Sequence, residues 1–455
     1  MFSVSEIAAL TGGRLLRRVD QTPRRVIHDS RLVQAGDLFV ALKGERTDGH
    51  EFLGDVFARG ACAAIVSDSG AVPESARNVI CVEETLEALW MLAAAWRREH
   101  SATMVGITGS CGKTTTKALL AYILAADRDV FASPESYNTE IGLPLALLSM
   151  PASARMGVFE LGASAPGDIA PLASLLCPRI AILTMVGRTH LEGFGDSEAV
   201  AEEKWDLVRA LPGSGTAIVN ADCEQLAPFI DQETRHVVSF GLKRGVVRGK
   251  IVHAVPSLCL EVDDPPLRLS SALIGRHNAT NVLAAVSSAL HLGVPPQTIE
   301  ERVATFAPVA HRLQLVRAPF GYLLDDTYNA NPEATSAALR VLAELDLPVK
   351  RRAFVFGDML ELGEEAPRYH REILELALGL NITPIFPVGE LSNQAAQQML
   401  EALPPGALVQ TGREKLADRI SEKLRGSQNL LLIKGSRVLG LDRLVKELIA
   451  SRTND

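Results

Sequence analysis

From Met104 onward the chain alternates short apolar runs with longer amphipathic ones, and this rhythm restricts the fold more than any other feature of its 455 residues. TMVGITG, RMGVFELGA, RIAILTMVG and GTAIVN have strand length and composition, while TTKALLAYILA repeats its apolar residues at helical spacing. Such alternation predicts a mostly parallel sheet covered by helices on both faces. A second series, GYLLDD, RAFVFGD, PIFPVG and NLLLIKG, follows Arg312 and reads as a smaller α/β unit. Ahead of both, residues 1 to about 100 mix the runs DLFVAL, CAAIVS and NVICV with turn residues. They close on an amphipathic helix through Leu86 to Arg98, before the polar stretch RREHSAT. PSLCLEVDDPPLRL reads as a hairpin within the middle block. One hydrophobic core does not extend over so long a chain. The expectation is an α/β protein of three domains, spanning 1–100, 101–311 and 312–455.

The first junction of the middle block is the strand MVGIT, the loop GSCGK and the helix TTTKALLAYILA. A glycine-rich turn there offers backbone N–H groups to phosphate at a helix N-terminus. The pattern is GxTGxxGKTT, with Ile107 where the general phosphate-loop pattern has glycine. Gly109 and Gly112 give the open backbone, Lys113 meets the β- and γ-phosphates, and Thr114 is placed to ligate magnesium. Cys111 sits inside the loop, either as a thiol activated by the helix end or as a small side chain facing outward.

Glu160 ends the apolar strand GVFE and His190 follows IAILTMVG, where open α/β sheets place ligand-binding residues and also satisfied polar ones. Lys204 falls in the apolar stripe of Val200, Leu207, Val208 and Leu211, where a lone ammonium is costly to bury. The amine must reach water, find an anion or change chemically; spacing alone favours a stem that snorkels to solvent, and carbamylation is the chemical alternative. Asn278 and Asn281, three apart at a helix start, share a face and suit an adenine edge, with capping by Asn278 as the other reading. In DDTYNANP, Asp326 suits a ribose hydroxyl and Asn331 a helix cap ahead of Pro332. Arg312 lies between blocks, within reach of a nucleotide. Lys434, Ser436 and Arg437 are three donors at a strand end, suited to an anionic substrate, and GDMLELG, with Asp358 and Glu361, suits an amine.

Lys+Arg 46 against Asp+Glu 54 gives a net charge of −8, with no electrostatic footprint for nucleic acid and no polybasic membrane patch. Cys62, Cys81, Cys111, Cys177, Cys223 and Cys259 have no ligand-like spacing and read as reduced thiols. The start MFSVSEIAALTGG lacks a basic flank, and LEALWMLAAAW is far short of a bilayer span, so a soluble cytoplasmic protein without membrane insertion is expected.

Taken together, HDSRLVQAGDLFVALKGERTDGHEF, GITGSCGKTTTK, SYNTEIGLP, ELGAS, HLEGFG, the Lys204 helix, GRHNATN, DDTYNANP, GDMLELG and KGSR make the chain resemble the Mur ligases over nearly its whole length. The resemblance implies an N-terminal domain for a uridine nucleotide, a central ATPase with a phosphate loop and a C-terminal Rossmann-like domain. The implied activity is ATP-dependent addition of D-alanyl-D-alanine to UDP-N-acetylmuramoyl-tripeptide through an acyl phosphate, by a monomer. The alternative is addition of the third amino acid to the same precursor. Gly109, Ser110, Cys111, Gly112, Lys113, Thr114 and Thr115 then match the ATP loop, and Asn278, Asn281, Arg312 and Asp326 nucleoside contacts. Thr114, Glu160, His190 and Lys204 match the Mg2+ shell, Lys204 as a carbamate. Ser30, Arg31, Asp48, Gly49 and His50 match the uridine segment. Asn138, Thr139, Tyr328, Asn329, Asn331, Asp358, Lys434, Ser436 and Arg437 complete the substrate contacts. Three positions depart from the family pattern: His311 stands for a glycine before the arginine, Met185 for an asparagine, and Trp205–Asp206 for a small residue and Glu after Lys204.

Overall fold

The structure is a computed structural model and describes the chain apart from residues 18, 20, 45, 46, 75, 188–190, 401, 402, 404, 405 and 451–455. Among the described residues the strands form three sheets, each drawn from one stretch of sequence. The first runs Arg14–Arg17, Val79–Cys81, Ala63–Val66, Leu38–Val40, Val26–Ile27 from edge to edge. The third runs Gln314–Ala318, Gly321–Asp326, Asn429–Lys434, Arg351–Gly357, Ile385–Val388, with only its Gln314–Ala318 edge antiparallel.

The central sheet has nine strands in the order Leu267–Ser271, Leu258–Val262, Val247–His253, His236–Gly241, Thr216–Asn220, Ile180–Leu183, Thr103–Thr108, Met156–Glu160, Val130–Ala132. The pairing is parallel except in the three-stranded antiparallel edge from Val247 to Ser271, whose last two strands, Leu258–Val262 and Leu267–Ser271, form the expected hairpin. Its inner strands carry apolar runs because both faces are covered. Met104, Phe159, Ala181 and Leu183 enter one core, and Val105, Ile107, Val158, Ile180 and Ile182 the other. The first core continues through Leu89 and Leu92 of the helix Thr85–Glu99 into Leu38, Ile65 and Ile80, so the first two sheets share one interior.

Thr103–Thr108 lies between Ile180–Leu183 and Met156–Glu160, and the chain leaves it for Val130–Ala132 at the far edge. That reversal of winding opens a crevice at the carboxyl ends of the strands, where doubly wound sheets bind ligands. In the third sheet Asp326 and Lys434 pair in register at the carboxyl ends of adjacent parallel strands. No described helix is long and apolar enough to cross a membrane. All six cysteines are free.

Candidate active site

Residues 109–112 leave Thr103–Thr108 and enter the helix Lys113–Leu124, with Gly109 at φ 147° and Gly112, the N-cap, at φ 86°. A Cβ at Gly109 would collide with Thr184 Oγ1 and one at Gly112 with Asn281 Oδ1, so both positions require glycine for conformation and for space. Lys113 Nζ donates to Gly109 O at 2.6 Å, folding the side chain back over the loop. Enclosure lowers its pKa, with the Glu160 charge acting the other way. Ser110 exchanges hydrogen bonds with Gly187, its Oγ accepting from Gly187 N–H at 2.9 Å.

Glu160 is buried and held by Lys117, whose Nζ lies 2.8 Å from Glu160 Oε1 and 2.6 Å from Ser133 O. Thr114 Oγ1 donates to Glu160 Oε2 at 3.3 Å and accepts from Arg312 Nη2 at 2.9 Å. Lys117 escaped the sequence reading, although it stands four residues beyond Lys113 on the same helix face. Lys204 is 2 % exposed, which overturns the snorkelling stem expected from spacing alone. Burial, then the charge of Lys113, pushes its pKa down to about 7. No described residue hydrogen-bonds its amine. Its neighbour Glu203 is committed to the amides of Gly167 and Ile169 at 2.6 Å each. His190 lies outside the described residues, and no cluster of three metal-ligating side chains occurs among those described.

Asn281 Nδ2 donates to Asn278 Oδ1 at 2.9 Å, so the two amides do share a face. Asn278 is not the cap; its Nδ2 reaches Ile274 O, and Arg276 holds the N-cap position. Arg312 stacks on Tyr328, its Cζ 3.6 Å from the ring centroid, and Tyr328 OH pairs with Ser136 Oγ at 2.7 Å. The preceding His311 has φ 60°, the left-handed region that favours glycine, and its ring is fixed on Asp325 Oδ2 at 2.7 Å. Asn331 caps the helix Pro332–Glu344, its Oδ1 accepting from Ala334 N–H, while its Nδ2 contacts Cys111 Sγ at 3.2 Å. Cys111 therefore faces the third domain and not open solvent. Lys434 Nζ, 2 % exposed at the residue level, binds Asp326 Oδ2 at 2.7 Å and Asn329 O at 2.8 Å.

These groups surround one cavity of about 1070 Å³ at the facing carboxyl ends of the second and third sheets. Its wall includes the whole loop from Gly109 to Thr115, Glu160, Lys204, Asn278 and Asn281. Across from them stand Arg312, Asp326, Tyr328, Asn329, Asn331, Lys434, Ser436 and Arg437, and Asn138, Thr139 and Trp90 close the third side. A glycine turn at a helix N-terminus, a lysine over it and a buried carboxylate beside Thr114 can grip a triphosphate with its divalent cation.

The "Mur ligase family, catalytic domain" model matches residues 24–97, the "Mur ligase middle domain" 107–289 and the "Mur ligase, glutamate ligase domain" 311–437. The UDP-N-acetylmuramoyl-tripeptide--D-alanyl-D-alanine ligase of Bacillus subtilis is 30% identical over 99% of this chain and 98% of its own. The chain belongs to the Mur ligase family. The same-named ligase of Synechocystis is 32% identical over 93% of this chain and 91% of its own. The structure of MurF from Acinetobacter baumannii superposes with a TM-score of 0.86 at 27% identity, covering 99% of both chains. MurF ligase from Thermotoga maritima, in complex with ADP, gives 0.79 at 28% identity over 94% of this chain and 97% of that one.

Within this Mur ligase, two groups of expected site residues lie elsewhere. Asp358 is buried with its carboxylate on the amides of Leu391 and Ser392, at the N-terminus of the helix Glu390–Met399, and does not line the cavity. Ser30, Arg31, Asp48, Gly49 and His50 also do not line it. His50 has both ring nitrogens engaged, Nδ1 with Asp48 Oδ1 at 2.6 Å and Nε2 with Ser67 N–H at 2.9 Å. Asp48 caps the short turn Gly49–Phe52, and Gly49 is buried against the backbone of Ala41 and Leu42. Arg31 is exposed and paired to Asp29 at 2.7 Å, beside a half-buried Ser30. His277, which the sequence reading passed over, stands in the cavity beside Asp326 and Lys434. Desolvation within the cavity holds its imidazole below the usual range, with the Asp326 charge acting the other way and Lys434 adding to the fall, although water reaches it.

Proposed function

We propose that this Mur ligase joins D-alanyl-D-alanine to the terminal carboxylate of UDP-N-acetylmuramoyl-tripeptide, using ATP and releasing ADP and phosphate. One observation carries the reading: a phosphate loop, a buried carboxylate and an enclosed lysine of one domain face, across a single cavity, the Asp326–Lys434 pair of another. The relatives that cover 99% and 93% of the chain at 30% and 32% identity bear the name of this reaction, and not of third-residue addition.

A carboxylate does not condense with an amine in water because its leaving group would be oxide, so the tripeptide acid is first converted to an acyl phosphate. Lys113 and the loop amides stabilise charge on the transferring phosphoryl group, since catalysis of this step is mainly positioning and electrostatics. No side chain need act as nucleophile. Thr114 Oγ1 and Glu160 Oε2, 3.3 Å apart, are hard oxygen donors suited to Mg2+. Thr114, Glu160, His190 and a carbamylated Lys204 would hold the cation, which would supply Lewis acidity toward phosphate and carboxylate oxygens. Lys204 fits the carbamate because a buried amine with a pKa near 7 is substantially free base at neutral pH, the form that adds to carbon dioxide.

Asn278, Asn281, Arg312 and Asp326 would contact the nucleoside, and the segment from Ser30 to His50 the uridine nucleotide. The domains at 1–100, 101–311 and 312–455 would act as a cytoplasmic monomer, with closure excluding water from the acyl phosphate. Multiple-turnover ADP release should require UDP-N-acetylmuramoyl-tripeptide and D-alanyl-D-alanine together. Equal turnover with the dipeptide precursor and a single amino acid would reject the assignment.

A further inference from the structure

With Asp358 committed to a helix N-terminus, the next acidic side chain of the GDMLELG loop is Glu361, which lines the cavity. The residues before it are fixed in succession. Asp358 N–H donates to Val388 O at 3.1 Å, Met359 N–H to His370 Nε2 at 3.0 Å, and Leu360 N–H to Ser436 Oγ at 3.1 Å. Ser436 N–H returns a bond to Asp358 O at 3.0 Å. Held in this way, Glu361 adopts φ 63°, a left-handed conformation that a non-glycine residue enters at a cost and keeps only where its surroundings impose it.

Two aliphatic side chains of the same cavity are uncovered, Leu360 at 39 % and Val438 at 85 % exposure, and Arg437 follows directly on Ser436. A carboxylate, two bare aliphatic groups and a guanidinium complement a small zwitterion that carries an ammonium, two methyl groups and a carboxylate. They do not complement a nucleotide polyphosphate.

We propose that Glu361 receives the ammonium of the incoming dipeptide and takes the proton it must lose before attack, while Leu360 and Val438 cover its two methyl groups. This role rests on the ligase reading above. The nitrogen arrives with three hydrogens. One proton passes to Glu361 and on to solvent. The freed electron pair then forms the C–N bond, the C–O bond to phosphate breaks, and the second proton leaves on the phosphate. The third hydrogen stays on the amide.

The test separates the half-reactions. Acyl phosphate formed from ATP and the tripeptide nucleotide is trapped by borohydride without dipeptide, and amide product is measured with it. Glu361→Gln should trap acyl phosphate within about twofold of wild type and lose about 10²-fold in amide formation. The deficit should shrink as pH rises past about 8, where the dipeptide deprotonates in solution, and Glu361→Asp should recover part of the rate. Leu360→Ala and Val438→Ala should each raise KM for the dipeptide about fourfold with kcat unchanged. Amide formation by Glu361→Gln within threefold of wild type near neutral pH, or loss of trapping as well, overturns the role of Glu361. An unchanged dipeptide KM in both aliphatic variants overturns the methyl contacts. A wild-type enzyme that yields no trapped acyl phosphate overturns the ligase reading, and the role of Glu361 with it.

Discussion

A buried carboxylate is tolerated when paired and hydrogen-bonded, and Glu160 has Lys117 on one oxygen and Thr114 on the other. Lys117→Met would strand the carboxylate and should cost about 3–5 kcal/mol of stability in urea unfolding. Adding Glu160→Gln should restore most of that loss; a double variant no better than the single one would show that the pair is not the source. Lys204 presents the opposite case, an enclosed amine next to a second cation. Lys204→Ala should reduce turnover about 10²-fold or more, unrestored by bicarbonate and partly restored by short carboxylates. The wild type alone should show a carbamate carbon resonance when supplied with labelled bicarbonate. Full activity in the variant would remove Lys204 from the metal shell.

At the scale of elements, the GDMLELG loop shows how secondary contacts set a site. His370 is fully buried, with Nδ1–H donating to Ala366 O at 2.7 Å and Nε2 accepting from Met359 N–H, so only the neutral ring fits. Burial holds its pKa below the usual imidazole range, with Asp358 and the Ala366 carbonyl acting the other way. The unfolded chain therefore binds more protons between the folded value and about 6.5, so this contribution is present above about pH 6.5 and fades as pH falls. Urea unfolding of the third domain should weaken by at most about 1.4 kcal/mol per pH unit in that window, and His370→Gln should flatten the slope. An unaltered slope would clear His370.

Inner strands with both faces buried were legible because apolar runs mark them. Arg14–Arg17, Val26–Ile27, Val130–Ala132 and Gln314–Ala318 were not; they are short or half-exposed edges fixed by backbone pairing, which leaves little side-chain pattern. The phosphate loop was legible because its glycines are required locally. The internal ties of Asp358 and His50 were not legible, because the same residue types that bind ligands also cap helices and tie loops, and only tertiary contacts reveal the second use.

On the scale of the whole molecule, the second and third domains meet through polar contacts at the cavity, beside an apolar contact of Ile274 and Val255 with the third domain's core. Tyr328 OH reaches Ser136, Asn331 reaches Cys111, and Arg312 reaches Thr114 while stacked on the Tyr328 ring. Interfaces of this kind permit domain motion, and a ligand touching both sides favours the closed arrangement by its differential affinity. Tyr328 is central because it orients the arginine and also bonds to the opposite domain. A cation–π contact contributes about 0.5–2 kcal/mol, so Tyr328→Leu should raise KM for ATP by roughly 2- to 30-fold. Tyr328→Phe keeps the ring and loses only the bond to Ser136, so its effect should be smaller. Small-angle scattering should show the wild type contracting when a non-hydrolysable ATP analogue is added, and Tyr328→Leu contracting only at higher analogue concentration. If Tyr328→Leu contracts at the wild-type concentration with ATP KM unchanged, Arg312 needs no ring beneath it, and closure must depend on the Asp326–Lys434 side of the cavity instead.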